Sequence, residues 1–93
     1  QEPYDQRKLR SGIVKACEKR PVSPEQIDQI VYFVENELRK TGRREIESAE
    51  IGKLVLRKLR ETDRVAYIRF ASVYKAFQDV ADFSREIENL MKD

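Results

Sequence analysis

The stretch from Ser23 to Gly42 is written as one long helix, and it limits what the rest of the chain can do. Ser23 offers a hydroxyl to the first turn, Pro24 occupies the position where a missing N–H costs nothing, and Gln26 stands three residues after the cap to complete a capping box. Ile27, Ile30, Val31, Val34 and Leu38 then recur at the spacing of one helix face, with Tyr32 and Phe33 widening it. Gly42 supplies a left-handed stop after about Thr41. A helix of this length with one apolar stripe has to bury that stripe against other elements, so a helical bundle is the natural frame.

The other segments read as its partners. Pro3 turns the end of an extended or looped segment, Asp5 caps a first helix, and Leu9, Ile13, Ala16 and Cys17 share one face of it before Lys19-Arg20-Pro21 ends it. Arg43-Arg44-Glu45-Ile46-Glu47 is a short connector with room for an extended run at its last three residues. Its arginines read either as a phosphate contact or as a solvated loop. Ser48 is expected to cap a third helix carrying Ile51, Leu54, Val55, Leu56 and Leu59, while Arg57, Lys58 and Arg60 complement the dipole at its end. Asp63 caps a fourth, Arg64 to about Gln78, apolar almost all round and so expected at the centre of the domain. Asp82 to Lys92 is an amphipathic tail with Phe83, Ile87, Leu90 and Met91 at helical spacing. That tail either closes its own bundle or docks on a partner as an oligomerisation element. The expected fold is mainly α, a compact bundle of four to five helices with antiparallel neighbours.

Composition narrows the chemistry. With no His and a single Cys in 93 residues, neither a Ser-His-Asp nor a Cys-His constellation nor an ordinary zinc ligand set can be assembled. The three glycines, Gly12, Gly42 and Gly52, fall in no phosphate-loop frame, so the chain is not expected to be an enzyme. Nineteen basic residues interleave with seventeen acidic ones for a net charge of +2, which gives no general case for nucleic acid binding. No apolar run nears the ~18 residues of a spanning helix, so a soluble, cytoplasmic chain without membrane contact is expected. Cys17 lies on the apolar face of the first helix and reads as a core thiol. The chain opens without Met, in keeping with a fragment of something longer.

Two constellations stand out. Glu2, Asp5 and Lys8 gather at one helix N-terminus, where N–H groups and the macrodipole favour anions; taken alone, the same residues read first as ordinary capping. Tyr67 and Tyr74 stand seven residues apart on the fourth helix and are expected to share a face, with Arg69 and Lys75 at its edges. They read as core residues with hydroxyls at the rim or as stacking or phosphate-binding groups.

Several strings resemble a known family. Glu2-Pro3-Tyr4-Asp5 with Lys8-Leu9, Ala16-Cys17-Glu18-Lys19-Arg20-Pro21-Val22-Ser23, Ile51-Gly52, and Val65 to Tyr74 followed by Phe77-Gln78-Asp79 are similar to the ATP-cone domain of the NrdR family, bacterial transcriptional repressors of ribonucleotide reductase genes. The resemblance covers nearly the whole chain. It implies a cone over residues 1–80 followed by the tail helix at 81–93, about four helices capped by a small β-hairpin. It also implies binding of ATP and dATP, with or without Mg²⁺, and nucleotide control of homo-oligomerisation and DNA binding. In the family a zinc ribbon precedes the cone, carries the zinc and contacts DNA. The ribbon, and most of the N-terminal hairpin whose basic pair would reach the phosphates, are expected to lie outside these 93 residues. Residue by residue, the resemblance implies nucleotide-binding roles for Glu2, Asp5, Lys8, Ser48, Tyr67, Arg69 and Tyr74. An allosteric cone of a ribonucleotide reductase, and a helical interaction domain without nucleotide binding, are the alternatives.

Overall fold

A computed structural model describes residues 2–92, Glu2 by its backbone alone. In chain order these residues form β1 (Glu2–Pro3), α1 (Gln6–Ala16), α2 (Pro24–Thr41), β2 (Glu45–Ile46), α3 (Ser48–Thr62), α4 (Arg64–Tyr74) and α5 (Val80–Met91). Four of the helix starts follow directly from short polar side chains in extended backbone. The carboxylate of Asp5 accepts the Arg7 N–H at 2.9 Å, Ser23 Oγ accepts that of Gln26 at 3.1 Å, Asp63 that of Ala66 at 2.9 Å, and Asp79 that of Ala81 at 2.9 Å. Gln26 completes the capping box by accepting the Ser23 N–H at 2.9 Å, and Gly42 ends α2 in the left-handed region with φ 68°.

The stripes named by the sequence meet in one core. Ile13 of α1, Val34 of α2 and Val55 and Leu59 of α3 are completely buried, with Ala66 and Ala71 of α4 equally enclosed. Burial of a side chain such as Leu59 stabilises by roughly 1.5–3 kcal/mol. Cys17 joins this core as expected, and its thiol is pushed up by burial and then by the nearby Asp63. Phe33 packs against the core, but Tyr32 is 65% exposed and does not widen the α2 stripe. Arg57 and Lys58 stand over the Phe33 ring at 5.3 and 4.8 Å, while Arg60 donates to the Lys92 and Leu90 carbonyls at 2.5 and 3.3 Å, closing the end of α5. Their role therefore extends beyond the α3 dipole.

β1 and β2 pair antiparallel, Glu2 opposite Ile46 and Pro3 opposite Glu45, so Pro3 lies in a strand instead of turning the chain. The pairing ties the start of α1 to the α2–α3 connector. Beside it the Tyr4 hydroxyl and Gln6 Nε2 both donate to Glu35 Oε2, at 2.8 and 2.7 Å. Burial and then the Glu35 carboxylate push the Tyr4 phenol well above its usual range, which keeps it a donor.

α4 packs on α3, α1 and α5, which makes it central, yet Val73 is 82% exposed and Val65 41%. It also stops at Tyr74, short of Gln78. Ala76 takes φ 52°, the Phe77 N–H reaches Ser72 O at 3.0 Å and the Ala76 N–H reaches Val73 O at 3.2 Å. That is a Schellman ending built without glycine. α5 starts at Val80, earlier than the Asp82 expected, because Asp79 is its cap. It closes the bundle of its own chain through Leu90 and through Glu86, which is only 7% exposed. The Tyr67 hydroxyl donates to Glu86 Oε2 at 2.8 Å and Lys75 Nζ to Oε1 at 2.9 Å. Burial and then this carboxylate push the Tyr67 phenol up to about 12. Burial also pushes Glu86 up, but the Lys75 and Tyr67 hydrogen bonds outweigh it and hold the carboxyl below its usual range.

A carboxyl held low in the fold stabilises above its ordinary pKa, and that stabilisation is lost as pH falls through the folded value. Glu86 and Asp63, both lowered, should therefore make unfolding in denaturant easier between neutral pH and about pH 3. Glu86→Ala should cost about 1–3 kcal/mol at neutral pH by leaving the Tyr67 hydroxyl without its acceptor, and should flatten this acid dependence. A pH–stability curve identical to that of the unsubstituted chain would contradict the assignment.

Candidate functional site

α1, α3 and α4 do not close on one another completely. Between them, under the β1–β2 pair, lies a cleft of about 420 Å³, within the roughly 300–1,000 Å³ of small-molecule sites. α1 and its cap line it with Asp5, Lys8, Leu9, Gly12, Lys15 and Ala16; α3 with Ser48, Ile51 and Gly52; α4 with Arg69, Phe70, Val73 and Tyr74. Pro3, Tyr4 and Ile46 form the end beneath the strands.

The lining divides into an apolar wall and a cationic edge. Phe70 and Tyr74, one turn apart, stack with centroids 6.1 Å apart at 28°. Lys8, Gly12 and Lys15 recur at four and three residues and so follow one face of α1. With Arg69 they set three cations against one carboxylate, Asp5, among the described lining residues. α1 and α3 also bring their N-termini to this cleft, adding the positive ends of two helix dipoles. A chain with almost balanced charge thus has a locally positive concavity.

Five of the seven residues singled out in the sequence come together here: Asp5, Lys8, Ser48, Arg69 and Tyr74. The Glu2 side chain lies outside the described residues. Tyr67 is not in the cleft. Its hydroxyl is committed to Glu86 of α5, whereas the Tyr74 hydroxyl donates to Ala49 O of α3 at 2.6 Å. Lys75 likewise turns to Glu86, away from any phosphate. Ser48 is the first helical residue and not the cap; Glu47 takes the capping position without a side-chain hydrogen bond. Arg69 has a structural task, since its Nη1 donates to Glu18 O at 2.6 Å and Ala16 O at 3.3 Å, satisfying carbonyls at the end of α1. Arg43 pairs with Glu50 at 2.5 Å, and neither Arg43 nor Arg44 lines the cleft.

Sequence reasoning missed Lys15, Gly12 and Phe70. The first two were within reach, because a lysine seven residues after Lys8 with a glycine between them marks one open helix face. Phe70 offered no such signal, since its neighbours on α4 are nearly all apolar. Among the described residues no cluster of His, Cys, Asp and Glu is suited to a metal ion, and no helix is long and apolar enough to cross a membrane.

Helices gathered around a positively edged, aromatic-walled cleft define a small ligand-binding cone. The chain belongs to the ATP cone domain family, whose pattern it matches over residues 1–80. It is 54% identical over 89 residues to the transcriptional repressor NrdR of Petrotoga mobilis (strain DSM 10674 / SJ95), which is 96% of this chain. The chain spans 59% of the length of that curated relative. The resemblance carried by the Ala16–Ser23 and Val65–Tyr74 strings is borne out by both matches.

Because Ser48 does not cap α3, Ser48→Ala should leave the unfolding free energy within about 0.5 kcal/mol of the unsubstituted chain in a denaturant titration. A loss of about 1 kcal/mol or more would restore the capping role.

Proposed function

We propose that this chain is the adenine-nucleotide-sensing domain of a transcriptional repressor of ribonucleotide reductase genes, a regulator and not an enzyme. The observation that carries the reading is the cleft, where Lys8, Lys15 and Arg69 edge an apolar aromatic wall in a chain of the ATP cone family. The relative's description as a transcriptional repressor supports the regulatory part.

Lys8 and Lys15 would pair with phosphate oxygens, helped by the amides opening α3. Arg69, whose planar guanidinium carries five donors, has capacity beyond the two carbonyls it holds. Asp5 caps α1 with one oxygen, and a carboxylate has acceptor sites left for a sugar hydroxyl or an adenine amine. Glu2 is assigned the same role by the family resemblance. A hydrogen-bonded sugar site of this kind distinguishes ATP from dATP, because losing one hydroxyl leaves a buried partner unsatisfied. No described cluster is suited to Mg²⁺, so that ion would arrive with the phosphates. Zinc would belong to a ribbon outside these residues, and DNA contact with it.

Residues 1–80 form the sensing cone in this proposal and 81–93 an assembly element. Val80, Ile87 and Met91 of α5 are 77%, 46% and 66% exposed along one face while Leu90 faces the core. Homo-oligomers that differ in this contact would be selected by nucleotide state, and a cytoplasmic location follows from the regulatory role.

Calorimetry with ATP and with dATP, paired with light scattering, tests the reading. Lys8→Ala and Lys15→Ala should each weaken ATP binding about 10- to 100-fold, the worth of a charged hydrogen bond, while changing thermal stability little. Equal affinity in the lysine variants, or no heat of binding in the parent, would leave a helical interaction domain.

A further inference from the structure

A surface helix is expected to turn its apolar stripe toward the core. α5 does not. Residues along an α-helix are set about 100° apart, so Leu90, Phe83, Ile87, Val80 and Met91 follow one another around α5 within a sector of about 100°, and Glu86 stands about 40° beyond its Leu90 edge. The side chains that the fold encloses are Leu90 and Glu86, at 4% and 7% exposure, while Ile87 is 46% exposed and Val80 and Met91 are more so. Phe83 lies between these groups, half-covered, with its ring edge-on to Phe77 at 4.8 Å. The helix is thus rolled away from its own stripe, and a carboxylate takes an inward place that the neighbouring Ile87 would fill.

What holds the roll is polar. Tyr67 lies in the body of α4 and Lys75 at its C-cap, eight residues and about 12 Å of helix apart. Both donate to the one carboxylate, the Tyr67 hydroxyl to Oε2 and Lys75 Nζ to Oε1. With each oxygen taken by a donor from a different point of α4, the azimuth of α5 is fixed as well as its distance. The other polar contacts of α5 among the described residues do not fix it. Arg60 holds the Leu90 and Lys92 carbonyls, which point along the helix axis and set its end. Asp79 and Asp82 bond within the first turn and its approach, and Arg64 meets Met91 only through sulfur, a weak acceptor.

We infer that Glu86 is a pin that sets the roll of α5: its bonds to Tyr67 and Lys75 keep the helix turned by roughly a fifth of a turn from the position its apolar stripe favours, so that Val80, Ile87 and Met91 are held at the surface. Buried ionic groups are weak sources of net stability, and their best-attested use is to select one arrangement over others of similar energy. Here the alternatives are two rolls of one helix on one surface of α4. The pinned helix presents an apolar edge, and the unpinned helix hides it. The device needs only α4 and α5, so it stands whether or not the cleft takes a nucleotide and whether or not the edge meets a second copy.

Methyl NMR with a neutral gadolinium chelate as a soluble relaxation agent tests the pin, at a dilution where light scattering gives the mass of a single chain. In the parent the agent should relax the Ile87 and Val80 methyls strongly and those of Leu90 weakly. Tyr67→Phe/Lys75→Met removes both donors and leaves the carboxylate. Glu86, buried and unpaired, should then turn out to water and Ile87 turn in, so that relaxation at Ile87 falls to the level of Leu90 while Leu90 stays protected. An Ile87 methyl as accessible in the folded double variant as in the parent overturns the inference, because the roll would not depend on the donors. A Leu90 methyl that becomes as accessible as Ile87 also overturns it, because the bonds would only attach the helix. Circular dichroism reports whether the double variant folds. If it does not, Lys75→Met decides alone, since that lysine side chain is 43% exposed and its loss from the fold is tolerated. Reduced relaxation at Ile87 with Leu90 still protected then supports the pin, and parental relaxation at Ile87 overturns it.

Discussion

One carboxylate holds three parts of this fold in register. Asp63 ends α3 with its N–H on Leu59 O at 2.9 Å, opens α4 by accepting the Ala66 N–H at 2.9 Å, and takes Arg20 Nε on both oxygens at 3.0 Å. Its side chain is 6% exposed. Burial raises its pKa, but the hydrogen bonds from Ala66 and Arg20 prevail and hold the carboxyl below its ordinary range. A buried charge satisfied in this way is costly to strip of any one partner. The angle between α3 and α4, and the position of the α1–α2 connector against both, are therefore fixed by one residue.

The cleft follows from that arrangement. α3 and α4 are pinned at their shared corner by Asp63, and α4 is pinned to the end of α1 by Arg69 on the Ala16 and Glu18 carbonyls. At the opposite end α1 is held by the β1–β2 pair and by Tyr4 on Glu35. Three helices anchored at their ends and separated in the middle leave a concavity. Gly12 keeps the α1 side low, whereas the space beside Gly52 on α3 is taken by the Tyr74 ring. The positive edge results from which face of α1 looks inward: Lys8 and Lys15 are seven residues apart and so lie on one face, two turns from each other.

Most of the helical frame was legible because its signals are local. Asp5, Ser23, Gly42 and Asp63 each decide a helix end by chemistry contained within a few residues, and the stripes of α1, α2 and α3 point to one core. The errors have physical causes. The α4 ending was hidden because its left-handed residue is Ala76, where a glycine would have announced the stop. Ser48 looked like a cap, but the chain turns one residue earlier, at Glu47, as it leaves β2. Tyr67 and Tyr74 have similar azimuths on an ideal helix, yet α5 covers the first and α3 the second, and sequence does not say which neighbour a ring meets. Glu86 was unreadable, since an acid in an amphipathic tail gives no sign that a tyrosine and a lysine wait for it in the core.

α4 is shared between the cleft and α5, and this bears on how a nucleotide would be felt elsewhere. Arg69, Phe70, Val73 and Tyr74 face the cleft, while Tyr67 of the same eleven-residue helix and Lys75 at its C-cap hold Glu86. A close-packed helix of that length moves as a rod, so a shift on one side is delivered to the other. Releasing Glu86 would leave a buried carboxylate without its donors, so α5 follows α4 instead of parting from it. The exposed edge of Val80, Ile87 and Met91 would be carried along. In the proposed sensor, a nucleotide then alters assembly only by the difference in its affinity for the two positions of α4, on the order of 1–3 kcal/mol for ordinary coupling.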